Sequence, residues 1–280
     1  MPSNLTHCAA LVREADRDRY LAALFAPARH REALFSLYAF NAEIAHVREV
    51  AREPMPGEIR LQWWREALLG ERDGEAAAHP VAAALKETGA RYNIAVDRLV
   101  ALIDAHAFDL YDEPMTTLDA LDHYGASTQG ALFALVGKIL GGEDDILTRH
   151  AGIAYAITGI LSNLGRHAAR RQLFVPLEVL ERHKADGADI LAQVATEPLR
   201  AALAELRRHA RRQLAAARAE LDQADPRILP ALLPVALVQP QLRRMEEAGA
   251  DPFMLPALPP WRRQWLLWRA ARDPRRIFAA

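Results

Sequence analysis

The chain has 280 residues, 51% of them hydrophobic and 25% charged, with a formal net charge of -1. That is enough chain for one large core or two smaller ones, and the near-neutral balance argues against a dedicated nucleic-acid binder, which carries a basic excess. Cys8 is the single cysteine, so no internal disulfide forms, and a reducing compartment is the simpler setting.

The N-terminal residues lack a charged segment leading into an apolar core, and Glu14, Asp16 and Asp18 disfavour a transit peptide. A cytoplasmic protein, soluble or peripheral, is expected. The longest uncharged runs, 151–165 and 228–242, are shorter than the roughly 20 apolar residues a spanning helix needs.

Taken in order, residues 4–26 alternate apolar Leu5, Ala9, Val12, Leu21, Leu24 and Phe25 with charges in an amphipathic helical pattern. Pro27 suits the first turn of a second helix and Pro54 and Pro56 end it, which predicts one helix over 28–52. Its buried face is Leu34, Leu37, Tyr38, Ile44, Ala45 and Val47. A third helix covers 57–69 and stops at Gly70. Helical patterns continue over 80–88, 94–110 and 117–140, the last capped by Thr117. Asp144 and Asp145 follow a double glycine and cap the next helix. After it come a short helix to His183, an Arg-rich helix over 197–221, a proline-punctuated helix over 226–248 and a Trp/Arg-rich helix within 259–276. Segments 71–79 and 184–198 read as loops without linker composition, so 1–280 is expected to be a single all-α domain.

Residues 151–176 are the most informative stretch. An apolar helix turns polar at Asn163, Arg166, His167, Arg170 and Arg171, and the first four share one face at helical spacing. A basic stripe of this kind is either a pocket wall or an ordinary helix end whose cations complement the macrodipole. Spacing alone favours the helix end.

Elsewhere, Glu43 and His46 form an E-x-x-H pair, a spacing found in di-iron bundles, but the second pair and the further glutamates are missing. No metal site and no catalytic residue are assigned. Asp109, Asp112 and Glu113 cluster near a helix end, where water is the simplest partner. Trp261, Trp265 and Trp268 lie at i, i+4 and i+7 among six arginines. They suit a membrane or partner surface and equally suit a seal on the body's own core.

Four segments together resemble the squalene/phytoene synthase superfamily over most of the chain. They are LFAPARHREALFSLYAFNAEIAHVRE, RLQWWREAL, HYGASTQGALFALVGKIL and the R-x-x-F-x-P that ends the 151–176 stretch. The resemblance implies the all-helical isoprenoid synthase fold with a central cavity, its pocket lined by Tyr38, Asp109, Tyr124 and Gln129. Active members condense two prenyl diphosphates on magnesium ions held by two aspartate-rich motifs, because that hard cation wants carboxylate and phosphate oxygens.

This chain departs at both motifs. The first falls on Asn41, Glu43, Ala45, His46 and Glu49, with Ala45 and His46 where paired aspartates stand. The second falls on Asn163, Arg166, His167, Arg170 and Arg171. Magnesium-dependent ionisation is therefore expected to be absent, and no cofactor is implied. Arg166, Arg170 and Arg171 still suit a diphosphate bound directly.

The wording NAEIAHVRE, R-x-Q-W-W-R and Y-G-A-S-T-Q is most similar to the branch that contains a mitochondrial assembly factor for respiratory complex I, regarded as a non-enzymatic user of the fold. Complex I subunits or assembly intermediates are the partners this implies, with an isoprenoid or lipid ligand and peripheral membrane contact as further expectations. The rivals are a working prenyl transferase in which Glu43, Glu49, Asp109, Asp112 and Glu113 replace the motifs, and an isoprenoid-binding module.

Overall fold

The computed structural model describes residues 4–50 and 53–279, with the backbone alone at Val50. Among them there is no strand. The pattern over 4–26 divides into α1 (Asn4–Ala15) and α2 (Arg17–Ala23), because the Asp16 carboxylate accepts the Arg19 N–H at 3.0 Å and caps a new start. The helix expected over 28–52 is also in two pieces, α3 (Ala28–Ala45) and α4 (Val47–Val50), interrupted at His46; its last residues, 51–52, lie outside the described ones. Leu34, Leu37, Tyr38, Ile44 and Val47 are buried as expected, whereas Ala45 is only half-buried.

Helix α5 (Pro54–Leu69) ends where Gly70 takes φ 88, a left-handed conformation that costs glycine little. Segment 71–79 is not a plain loop. It contains α6 (Asp73–Ala78), whose first-turn Asp73 and Glu75 complement the helix dipole. Helices α7 (Pro80–Tyr92) and α8 (Val96–His106) follow, then a 3-10 turn over Ala107–Leu110. The Thr117 hydroxyl accepts the Ala120 N–H at 3.0 Å and starts α9 (Leu118–Gly125). A π-turn over Ala126–Gly130 precedes α10 (Ala131–Leu140).

Next come α11 (Asp145–Ser162), α12 (Leu164–Ala169) and α13 (Leu177–His183), with Asp145 in the first turn of α11 as expected. Segment 184–198 holds α14 (Gly187–Leu191), capped by Asp186. The Arg-rich helix is α15 (Glu197–Glu220). Of the helix expected over 226–248, Pro226–Leu237 is 3-10, since the rings of Pro230 and Pro234 clash with the carbonyls an α-helix would place beneath them. Only α16 (Val238–Arg244) is α-helical there, and α17 (Pro260–Arg272) ends the order.

The chain organises into two compact units, each assembled from separated segments. Met1–Tyr111, Ala131–Asp144 and Asp225–Pro234 make the first; Asp112–Gly130, Asp145–Ala224 and Val235–Ala280 make the second. In the first unit α3 packs against α1, α7, α8 and α10, burying Leu34, Leu37, Phe40 and Ile44. The Ser36 and Thr88 hydroxyls meet at 2.7 Å inside the α3–α7 contact.

In the second unit α11 packs against α9, the π-turn, α15 and α16. A methyl built on Gly152 would lie 2.2 Å from the Gly130 nitrogen, and one on Gly125 would lie 3.0 Å from the Ile153 Cα. Backbone therefore meets backbone at this crossing, with no flexible side chain to give way. Gly159, two turns further along α11, faces open space.

Gly152→Ala is expected to lower unfolding stability by about 3 kcal/mol or more, since the added methyl forces the backbones apart. Gly159→Ala in the same helix should raise it by about 0.5 to 1 kcal/mol. Chemical denaturation of both variants checks the contrast.

Candidate functional site

In the first unit the altered motif sits where α3 breaks. His46 has φ -93 and ψ 4, its N–H reaches the Ala42 carbonyl at 3.1 Å, and its Nδ1 lies 2.7 Å from the same oxygen. A carbonyl only accepts, so Nδ1 carries the proton. The imidazole is thus folded back onto its own helix. Asn41 is buried, and its Oδ1 has no hydrogen-bond partner among the described residues. Glu43 is half-buried and Glu49 is exposed.

Tyr38 is 2% exposed; burial pushes its phenol above the ordinary range, against the pull of the Arg19 guanidinium 5.8 Å from its ring centre. Burial likewise pushes the Cys8 thiol up to about 11, with the Glu43 charge adding to the rise. Asp109 Oδ2 accepts from the buried His106 Nδ1 at 2.8 Å.

The R-x-Q-W-W-R segment divides between core and surface. Trp64 is 3% exposed and packs edge-on against Phe40 at 5.1 Å. Gln62, Trp63 and Arg65 instead line a groove of about 500 Å³ with Ile59, Leu110 and Tyr111. The polar groups there satisfy one another: Trp63 Nε1 donates to Glu75 at 2.8 Å, Gln62 to Glu66 at 2.9 Å and Arg65 to Asp104 at 2.7 Å. His79 stands over both tryptophans, at 5.2 and 5.3 Å, and its Nδ1 accepts the Ala82 N–H at 3.3 Å to cap α7.

In the second unit α11 ends before Asn163, whose φ is -110 and ψ 19, and the chain resumes as α12, with the His167 N–H to Asn163 O bond of 3.0 Å keeping the helical register. Asn163 Nδ2 donates to Gly159 O at 2.9 Å, Ser162 Oγ to Thr158 O at 2.7 Å and Thr158 Oγ1 to Ala154 O at 2.8 Å. This succession of side chains bonded one turn back favours a bend. The expected basic stripe splits: Asn163, His167 and Arg170 are half-buried, while Arg166 and Arg171 are exposed. Arg171 takes φ 60 where the chain leaves the helix.

The His167 ring meets Phe174 edge-on at 4.7 Å, and Phe174 meets Tyr124 at 5.6 Å. A methyl on Gly165 would lie 2.3 Å from the Phe253 carbonyl oxygen, so the 253 segment lies directly on α12. Tyr124 and Gln129 belong to this unit, Tyr38 and Asp109 to the first. Asp112 and Glu113 are exposed.

One polar cluster escaped the sequence reading. His209 Nε2 lies 2.7 Å from Asp122 Oδ1, Gln213 Nε2 donates to Asp122 Oδ2 at 3.0 Å, and His150 Nδ1 lies 2.6 Å from Gln213 Oε1. Arg212 donates to His209 Nδ1 at 3.0 Å, which leaves the ring proton on Nε2, pointed at the carboxylate. The cluster ties α9, α11 and α15 together. The available signal was His209 lying in the apolar register of Leu206, Ala210 and Leu214.

The magnesium ions implied by the resemblance do not fit these residues. Hard divalent cations take oxygen donors, yet the replaced positions offer a methyl, an imidazole committed to Ala42 O, an amide committed to Gly159 O and guanidinium groups. Among the described residues no three His, Cys, Asp or Glu side chains come together as a ligand set. The core-seal reading of the tryptophan face is also overturned. Trp261, Trp265 and Trp268 are 69%, 46% and 42% exposed, and α17 buries Leu267 and Ala270 instead. Among the described residues no helix is long and apolar enough to cross a membrane.

Comparison with known proteins places this geometry. The squalene/phytoene synthase family profile matches residues 12–269. The mouse protein named NADH dehydrogenase (ubiquinone) complex I, assembly factor 6, is 27% identical over 256 residues, covering 90% of this chain and 77% of its own length. Presqualene diphosphate synthase of Zymomonas mobilis is 28% identical over 170 residues, 58% of this chain and 57% of that one. The crystal structure of a dehydrosqualene synthase superposes with a TM-score of 0.84 at 16% identity, covering 97% of this chain and 96% of its own.

Burial holds the His79 pKa below its ordinary 6.5, and the Glu43 charge offsets part of that shift. The ring is therefore neutral in the native state, as its capping lone pair requires. A histidine depressed on folding contributes full stability above its unfolded pKa and less as pH falls below it. Melting temperature should drop as pH falls below 6.5. His79→Asn, which keeps a capping acceptor, should flatten that slope in paired thermal scans.

Proposed function

The chain belongs to the squalene/phytoene synthase family, and from that premise we propose that it is a non-catalytic member acting in the assembly of respiratory complex I. The observation that carries the loss of catalysis is the state of the two motifs. Where a metal-dependent enzyme of this family needs carboxylates, His46 and Asn163 stand, each bonded to the carbonyl one turn back in its own helix. Such side chains stabilise bends and leave no anionic cage to draw off a diphosphate. The assembly role rests on the relatives named as complex I assembly factors, which match about nine-tenths of this chain. Its partners in this reading are complex I subunits or their intermediates, and it works beside the membrane in which that complex sits.

A second reading, an active prenyl diphosphate-condensing transferase, draws on the 28% identity to presqualene diphosphate synthase. Four of the five acids it would recruit argue the other way: Asp109 is engaged by His106, and Glu49, Asp112 and Glu113 are exposed, while Glu43 is half-buried. A carried but unaltered isoprenoid is compatible with assembly work, and mass spectrometry of lipid extracted from the purified protein tests it.

Purified protein incubated with farnesyl diphosphate and magnesium is expected to give no condensation product and no released diphosphate. Product formation that disappears in a Glu49→Gln variant would establish the transferase instead. Deleting the gene is expected to lower NADH dehydrogenase activity and to accumulate partly assembled complex, read by activity-stained native gels. An unchanged level of mature complex in the deletion strain would remove the assembly role.

A further inference from the structure

Helix α17 presents two opposite faces. Leu267 and Ala270 are buried, with Leu266 half-covered beside them. At 3.6 residues per turn, Trp261, Trp265 and Trp268 form a stripe on the far side of the helix from these residues. All three are exposed: Trp261 leaves 69% of its surface in water, and Trp265 and Trp268 leave 46% and 42%, all on one short helix.

The charges around the stripe are one-sided. Segment 259–279 contains six arginines, Arg262, Arg263, Arg269, Arg272, Arg275 and Arg276, against a single acid, Asp273, which is bonded to Arg276 at 3.1 Å. Arg263 is used internally, donating to the Leu258 carbonyl at 3.0 Å. Arg269 and Arg272 lie over the rings of Trp265 and Trp268, at 4.3 and 4.2 Å from their centres. Each pair sets a guanidinium, a bidentate donor suited to phosphate, beside an indole, which prefers the boundary between headgroup and acyl chain. The chain as a whole has a formal net charge of -1, so this excess is local.

We infer that α17 is a docking helix for an anionic lipid surface. Trp261, Trp265 and Trp268 enter the interface, and Arg262, Arg269 and Arg272 engage lipid phosphates. The helix lies in the plane of the surface, since its opposite face stays packed on the protein and it is too short to span. The inference stands without the assembly reading, because it rests on the exposed face alone.

The test is co-sedimentation of the full-length protein with vesicles of phosphatidylcholine alone or mixed with phosphatidylglycerol. Binding is expected only to the mixed vesicles, weakened by salt and accompanied by a blue shift of tryptophan emission. The W261A/W265A/W268A variant should lose binding, and R262Q/R269Q/R272Q should bind on the order of a hundredfold more weakly. Both should melt like the parent, because the altered side chains are on the outer face. Absence of binding to mixed vesicles at low salt would overturn the inference, as would equal binding by the parent and both variants. If vesicles fail while the tryptophan variant loses complex I assembly in cells, the face belongs to a protein partner and not to lipid.

Discussion

The second unit is built on the approach of two backbones. At Gly152 and Gly130 the distance left between α11 and the π-turn is too short for one methyl group, so the crossing fixes where α11 runs and with it everything further along that helix. The π-turn contributes to this: its wider winding carries Gly130 out of ordinary α-helical register, onto Gly152. Asn163 lies about three turns beyond the crossing, and its placement relative to α9 and α15 follows from that contact. The Asp122, His209, Gln213 and His150 cluster then ties the same three helices with paired polar groups, which hold only one arrangement.

The two altered motifs have changed in the same way. In each, the helix is interrupted at His46 or Asn163, and that residue's side chain bonds to the carbonyl four residues earlier. An aspartate cannot donate to that carbonyl, whereas a histidine N–H or an asparagine amide can. Each carbonyl also accepts the backbone N–H of the same residue, at 3.1 Å in both cases, so the side chain adds a second bond to it. At both positions the side chain takes part in the backbone's own hydrogen bonding. His167, in edge contact with Phe174, is likewise packed into its surroundings.

The surface shows the converse. Around Trp63 the groove is lined by groups already paired with one another, so its polarity is spent on holding α5, α6 and α8 together. Along α17 the arginines outnumber the acids, and the indoles stay exposed beside guanidinium groups that no acid of the helix pairs. A motif rich in Trp and Arg thus has opposite meanings at the two places, and the difference is whether acids stand within reach.

The sequence by itself determined the helical class, the caps at Thr117 and Gly70 and the family, because these depend on residue identity and local spacing. It also placed most of the buried face of α3, since apolar periodicity is a local property. It missed the breaks at Asp16 and His46, where a single side-chain bond outweighs an uninterrupted apolar pattern, and the short helices α6 and α14, whose few residues carry too little periodicity. It could not show that His209 meets Asp122, 87 residues away in the chain, or that the tryptophans of α17 face water. An amphipathic helix has two plausible inner faces when one is aromatic and basic and the other aliphatic. Only the tertiary packing of Leu267 and Ala270 decided between them, because burial is settled by what lies across the contact and not by the helix alone.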